Sequence, residues 1–222
     1  MMHIAACIFD LDGVIVDTAM YNFLAWKRLA DQLGIPFTKE DNERLKGVSR
    51  MASIEIILEI GGRKLSDDRK QEYAMLKNKW YIDYISKMTS NEILPGSLRF
   101  INELRDANIR VAIGSASKNT PLILKQVGIL DLFDAVADGN NVRNAKPDPE
   151  VFNKAASMLG IKPENCVVFE DAIAGVQAAL NAGMMCIGVG SANILTKAHF
   201  VVSGLNEMNI EKLSTIEKDI LL

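Results

Sequence analysis

Two aspartates, Asp10 and Asp12, stand two residues apart where the apolar run Ile4-Ala5-Ala6-Cys7-Ile8-Phe9 ends. Side chains alternate faces along a strand, so residues two apart can point the same way. Gly13 follows and frees the backbone to turn sharply. Adjacent carboxylates at the end of a buried strand repel and lose hydration unless a cation joins them. Oxygen ligands of this kind suit a hard divalent cation, with magnesium (Mg2+) the expected one. A solvated surface turn is the competing reading of the same spacing. An EF-hand calcium loop is excluded. Val14 would fill its fifth position, the glycine falls at the fourth, and Tyr21 stands where the twelfth requires Glu.

Three more polar clusters follow apolar segments in the same manner. Arg110-Val111-Ala112-Ile113-Gly114 runs into Ser115-Ala116-Ser117-Lys118-Asn119. Ala135-Val136-Ala137 gives way to a polar loop reaching Lys146-Pro147, and Cys166-Val167-Val168-Phe169 ends in Glu170-Asp171. Singly these are weak signals, because a serine after a strand is commonly a turn residue and Lys-Pro is commonly surface. Further apolar runs at Met185-Cys186-Ile187-Gly188-Val189 and Phe200-Val201-Val202 predict two more strands. Helical spacing separates the runs: Leu98, Ile101 and Leu104; Leu122, Leu124 and Val127; Val151, Phe152, Ala155 and Leu159. Strands alternating with helices predict an α/β fold, a Rossmann-like parallel sheet covered on both faces. Such sheets bind ligands at the carboxyl ends of their strands, where all these polar groups fall.

One interval breaks the alternation. Tyr21, Leu24, Ala25, Leu29 and Leu33 share a helical stripe that Gly34-Ile35-Pro36 stops. Thr38, with Asp41 three residues on, can cap a short helix through Leu45. Ser49 is placed to cap a helix carrying Ile54, Ile57, Leu58 and Ile60, which ends at Gly61-Gly62. Ser66 opens a longer one with Tyr73, Leu76, Trp80, Tyr84 and Ile85. Four helices without a strand predict a helical-bundle cap over residues 18–88, inserted into a core of residues 1–17 and 89–222.

Composition narrows the partners. The 222 residues are 49% apolar and 24% charged, a globular balance, with a net charge of −3. That charge predicts no nucleic acid and no anionic membrane as partner. No apolar run approaches the roughly 20 residues that span a bilayer. Met1-Met2-His3 lacks a basic region and the following apolar run meets Asp10 too soon for a signal peptide, so a cytoplasmic location is expected. Cys7, Cys166 and Cys186 each sit in a strand-like apolar segment, which predicts buried, reduced thiols rather than nucleophiles.

The run Phe9-Asp10-Leu11-Asp12-Gly13-Val14-Ile15-Val16-Asp17-Thr18 resembles the first motif of the haloacid dehalogenase superfamily, most of whose members transfer phosphoryl groups. Ser115, Lys146-Pro147 and Glu170-Asp171 match its other three motifs in order, so the resemblance covers the whole chain. It implies that Asp10 is the nucleophile, becoming an aspartyl phosphate. It implies that magnesium is held by Asp10, the backbone carbonyl of Asp12, and Asp171 with Glu170 nearby. Ser115, the backbone around Ala116 and Lys146 would receive the phosphoryl oxygens, and Asp12 would be the general acid and base. An aspartate at position 12 favours phosphoryl transfer over dehalogenation.

Within the superfamily, Ala25-Trp26-Lys27, Leu45-Lys46-Gly47-Val48-Ser49-Arg50, Lys77-Asn78 and the run Ser115 to Asn119 are similar to the β-phosphoglucomutase group. The likeness implies a sugar phosphate as substrate, carried from the 1- to the 6-phosphate through a bisphosphate that turns round. Arg50, at a Ser-capped helix start, would hold the distal phosphate through its guanidinium fork. Trp26, Lys77, Gly47, Val48 and Ser49 would meet the substrate from the cap, and Ser117, Lys118 and Asn119 from the core. Without the resemblance, Arg50 and Lys77 read as solvated helix residues. Where that group has a histidine near its acid/base aspartate this chain has Asn22, which cannot carry charge near neutral pH. The two histidines, His3 and His199, lie outside the motifs and read as structural or exposed. The alternative with the same core is a phosphatase that passes the phosphoryl group to water, and a non-catalytic binding protein stands third. A monomer is expected, because the cap must move.

Overall fold

A computed structural model describes residues 4–45 and 48–220. Six parallel strands form one sheet: β1 (Ala6–Phe9), β2 (Arg110–Gly114), β3 (Ala135–Ala137), β4 (Cys166–Glu170), β5 (Met185–Val189) and β6 (Phe200–Val202). Their order is β3-β2-β1-β4-β5-β6, so the order reverses beside β1. That reversal opens a crevice above the carboxyl end of β1, where ligands of such sheets sit. Phe9 pairs with Ile113 on one side and Phe169 on the other. The next residues, Asp10, Gly114 and Glu170, therefore stand side by side at the carboxyl edge of the sheet.

Apart from Arg110 at the start of β2 and Glu170 at the end of β4, the strands are apolar because both faces are covered. Cys7 and Phe9, Val111 and Ile113, and Val167 and Phe169 point into one layer. Ala6, Ile8, Ala112 and Val168 point into the other. In the first layer Phe9 stacks on Phe169 at 4.9 Å between ring centroids, and Phe100 meets both edge-on. This aromatic knot fixes the strand ends from which Asp10 and Glu170 emerge.

Between β1 and β2 lie α1 (Ala19–Gln32), α2 (Lys39–Glu43), α3 (Arg50–Ile60) and α4 (Asp67–Ile85), with no strand among the described residues there. Ala25, Leu29 and Leu33 are buried as their spacing requires, whereas Leu24 is exposed. Thr38 and Asp41 form a reciprocal capping box on α2, which ends at Glu43 rather than running to Leu45. The Ser49 hydroxyl accepts the Ala52 N–H and opens α3. These helices share their own apolar centre around Trp26, Leu29, Ile35, Ile57, Leu58 and Trp80. Tyr81, Ile85 and Met88, at the end of α4 and beyond it, pack instead into the layer beneath the sheet. Two connections join the bundle to the sheet and pair with each other, through a bridge between Val16 and Ile93 and the Leu94 N–H on the Ile15 carbonyl.

The remaining helices are α5 (Ser97–Asp106), α6 (Thr120–Gln126), α7 (Glu150–Leu159), α8 (Ile173–Asn181) and α9 (Ile210–Ile220). The helical spacing read from the sequence does not extend to α8 or α9. The α8 segment is rich in alanine and carries Gly175, so its buried face lacks the large apolar residues that mark a stripe. All three cysteines are buried and free, and burial pushes the Cys166 thiol up to about 11, which suits packing rather than nucleophilic chemistry. His199 is a tether: its Nδ1 accepts the Cys186 N–H at 3.1 Å. His3 lies outside the described residues. No described helix is long and apolar enough to cross a membrane.

Candidate active site

The strand ends collect the charged residues that the sequence scatters. Lys146 is buried, and its Nζ donates to Asp10 Oδ1 at 2.5 Å and to Glu170 Oε2 at 2.8 Å. The second Glu170 oxygen accepts the Ala172 N–H at 3.0 Å. Burial opposes the Lys146 ammonium, yet the charges of Asp10 and Glu170 outweigh it and hold the pKa above the ordinary lysine range. Burial and the Asp10 charge push Glu170 up to about 7, against the pull of Lys146. One ammonium thus stands among several carboxylates, and a further cation would relieve the remaining repulsion.

The donor set fits that cation. Carboxylate oxygens of Asp10, Glu170 and Asp171 all lie within 4.8 Å of one another. A hard ion with bonds of about 2.1 Å needs oxygens at such spacing. Two glycines make room for this arrangement. Gly13 has φ +80°, and a Cβ there would lie 2.3 Å from Asp171 Oδ2. Gly175 faces Glu170 so closely that a Cβ would lie 2.0 Å from Cδ. Gly13→Ala is expected to strain the turn by about 1–2 kcal/mol and to displace Asp171. Titration calorimetry with a divalent cation should then show at least tenfold weaker binding, and unchanged affinity would refute this account of Gly13.

Asp12 is half-buried and receives the Thr18 hydroxyl. Burial first, and then the Asp10 charge, push its pKa up to about 6. A carboxyl tuned there can give and take a proton near neutral pH. Ser115 is buried and its Oγ accepts the Ser117 N–H at 3.2 Å, while the Ser117 hydroxyl accepts the Asn119 N–H at 3.2 Å.

Opposite this floor stands the cap, and the two enclose a cleft of about 940 Å³ lined by Asp10, Asp12, Ser115 and Lys146 below and by Trp26, Val48, Ser49, Arg50 and Lys77 above. Ala116, Ser117, Lys118, Asn119, Glu170 and Asp171 line it too. Gly47, expected at the substrate, lies outside the described residues, as does Lys46. Lys77 is buried rather than solvated: its Nζ reaches Asn22 Oδ1 at 2.8 Å and sits 4.4 Å and 4.5 Å from the ring centroids of Trp26 and Tyr81. Burial, then the nearby Arg50 charge, bring its pKa down to about 7, while the two ring faces favour the charged form. Above that pH the cleft loses a positive charge. For a phosphorylated substrate, kcat/KM is expected to fall as pH rises from about 7 to 9, and Lys77→Met should remove that limb. Rate profiles of both proteins check this, and a limb that persists in the variant would assign it elsewhere.

Arg50 stands at the start of α3, where burial lowers its pKa. Its Nη2 donates to Asn78 Oδ1 at 2.7 Å. Three residues of the cleft received no role from sequence: Thr18 on Asp12, Tyr81 beside Lys77, and Asn78 on Arg50. Thr18 and Asn78 sit inside segments already singled out. The signal for Tyr81 was its place one helical turn after Lys77, on the same face of α4.

The chain matches the family model for haloacid dehalogenase-like hydrolases over residues 4–183. It is 45% identical to the β-phosphoglucomutase of Bacillus subtilis over 210 residues, covering 94% of this chain and 93% of that one. A phosphorylated carbohydrates phosphatase of Thermotoga maritima is 30% identical over 181 residues, covering 81% of this chain and 82% of the other. The crystal structure of a β-phosphoglucomutase from Clostridium difficile superposes with a TM-score of 0.94 at 42% identity, covering 98% of this chain and 99% of that one. Strand order, a lysine tied to two motif carboxylates and the sequence match agree: this chain belongs to the haloacid dehalogenase-like hydrolase family.

Proposed function

We propose that this protein is a β-phosphoglucomutase, interconverting β-D-glucose 1-phosphate and D-glucose 6-phosphate. The observation that carries the reading is the two-ended cleft. Asp10, Asp12, Ser115 and Lys146 lie at the floor, and Arg50 and Lys77 at the roof. A bisphosphate needs a reacting end and a holding end, and a mutase must bind it in both orientations. The 45% identity to the Bacillus subtilis enzyme supports the same choice.

In this reading an Asp10 carboxylate oxygen attacks phosphorus, forming an O–P bond as the bond to the sugar oxygen breaks. Asp12, protonated, gives its proton to that leaving oxygen. In the return step Asp12 takes the proton from the other hydroxyl as it attacks the aspartyl phosphate, and Asp10 is restored. Ser115, the backbone near Ala116 and Lys146 receive the phosphoryl oxygens. Asp10, Glu170, Asp171 and the Asp12 carbonyl would hold magnesium, which supplies charge neutralisation of those oxygens. Trp26, Gly47, Val48 and Ser49 meet the sugar from the cap. Arg50 holds the distal phosphate, Lys77 meets the substrate from the cap, and Ser117, Lys118 and Asn119 hold the sugar from the core side. Asn22 takes the place of a charged neighbour by anchoring Lys77. The working unit is a cytoplasmic monomer, with a core of residues 1–17 and 89–222 and a cap of residues 18–88 that closes to exclude water.

The test offers β-glucose 1-phosphate with magnesium and a trace of glucose 1,6-bisphosphate. Glucose 6-phosphate without stoichiometric free phosphate is the expected result. Free phosphate as the main product would overturn the mutase reading in favour of a sugar phosphatase, the activity borne by the Thermotoga maritima relative's name.

A further inference from the structure

Asn78 is the joint of the cleft. Its Oδ1 accepts two hydrogen bonds at once: one from Arg50 Nη2 at 2.7 Å and one from Asn119 Nδ2 at 3.0 Å. Asn78 lies on α4 and Arg50 on α3, both in the cap, whereas Asn119 caps α6 on the core side. An amide carbonyl has two lone pairs, and here both are used by donors from opposite walls of one cavity. The Arg50 bond is charge-assisted and therefore the stronger of the two.

Neither donor is exhausted by this contact. A guanidinium carries five N–H groups and an amide nitrogen two, so both keep hydrogens for a ligand while Asn78 fixes their positions. Asn119 is itself held through its backbone N–H by the Ser117 hydroxyl, which follows the buried Ser115. A chain of contacts thus runs from Arg50 through Asn78 and Asn119 to the floor of the site.

We propose that Asn78 is a positioning residue. Its side-chain oxygen orients Arg50 for the distal phosphate and latches the cap to the core through Asn119. This rests on the mutase reading only for the identity of the ligand; the latch itself concerns the protein without substrate. Its consequence is that the grip on the distal end and the exclusion of water are set by the same atom. A ligand that pulls on Arg50 pulls on the latch.

The experiment compares wild type, Asn78→Ala, Asn78→Asp, Asn119→Ala and the double variant Asn78→Ala/Asn119→Ala. Small-angle scattering of the ligand-free proteins reads cap opening with no substrate assumption. Asn78→Ala and Asn119→Ala should each show a larger radius of gyration, the double variant no larger than either. Asn78→Asp, which keeps an acceptor oxygen at the same place, should stay compact. In the sugar-phosphate assay, Asn78→Ala should raise KM about tenfold. It should also raise the ratio of free phosphate to glucose 6-phosphate several-fold, and Asn78→Asp should largely restore that ratio. Scattering curves of Asn78→Ala and Asn119→Ala that match wild type would overturn the latch, even if the assay confirmed a mutase. If wild type makes no glucose 6-phosphate but the scattering shifts as stated, the latch stands and the mutase reading fails. A KM change in Asn78→Ala that Asn78→Asp does not reverse would refute the positioning of Arg50 by an acceptor.

Discussion

Asp10→Asn is expected to abolish turnover, lowering kcat by about four to six orders of magnitude, as loss of a covalent nucleophile does. The amide is nearly isosteric with the carboxylate, so the aromatic knot of Phe9, Phe100 and Phe169 beneath it should hold and the protein should stay folded. What changes is chemistry. An amide oxygen is a poor nucleophile, and the Lys146 ammonium loses the negative charge on one of its two carboxylate partners. Acid quenching of wild type given labelled bisphosphate should trap phosphate on the protein, and the variant should trap none. Asp12→Asn should behave differently, with kcat falling about 10²–10⁴-fold while the Asp10, Glu170 and Asp171 oxygens still gather for a cation. Loss of activity in both variants with labelled protein only in Asp12→Asn would separate nucleophile from acid. An Asp10→Asn protein with wild-type rate would sink the mechanism.

That the two aspartates would stand together at a strand end was legible, because such ends in a parallel sheet gather polar groups. Alternation does not by itself place Asp12, because β1 ends at Phe9 and Asp12 lies beyond it, but the strand-end rule told where the polar runs would meet, and both aspartates line the cleft. Ser115, Lys146 and Glu170 were placed by this logic, although each alone resembles a common turn or surface residue. The six strands were legible because a strand covered on both faces is apolar throughout. Lys77 and Arg50 were harder. On sequence both read as solvated helix residues, and only the fold shows Lys77 under two aromatic rings and Arg50 tied to Asn78. Burial of a charge by another element leaves no mark in the spacing of its own helix. A different reason hid α8: its buried face is built mostly of small residues, with Gly175 pressed against Glu170, so no large apolar stripe marks it. Asn78 sits in a segment the sequence singled out, but its role was not legible for a different reason: it depends on Asn119, and hydrogen bonds between distant segments have no local period.

Lys146→Met is expected to cost more stability than any surface substitution could. The ammonium is almost wholly buried between Asp10 and Glu170, which are themselves nearly inaccessible. Removing one member of a buried ionic set leaves uncompensated charge and costs about 3–5 kcal/mol, where an exposed pair would cost about 0–1. Urea unfolding in the presence of a chelator should show this as a lower midpoint with an unchanged slope. Two further measurements tie the loss to charge rather than to shape. Adding Glu170→Gln to Lys146→Met removes one of the stranded carboxylates, so the double variant should recover part of the lost stability. Saturating divalent cation should also recover part of it, because an ion bound only by the folded state stabilises that state by mass action. Activity should follow a different rule. A bound cation would share the neutralising role of Lys146 in the fold, but it would not supply the hydrogen bond that the proposed mechanism draws from the ammonium to a phosphoryl oxygen, so kcat should stay about 10²–10³-fold low. A Lys146→Met protein as stable as wild type under chelation would mean that Glu170 is protonated in the fold and that the ion pair is not what holds the strand ends together.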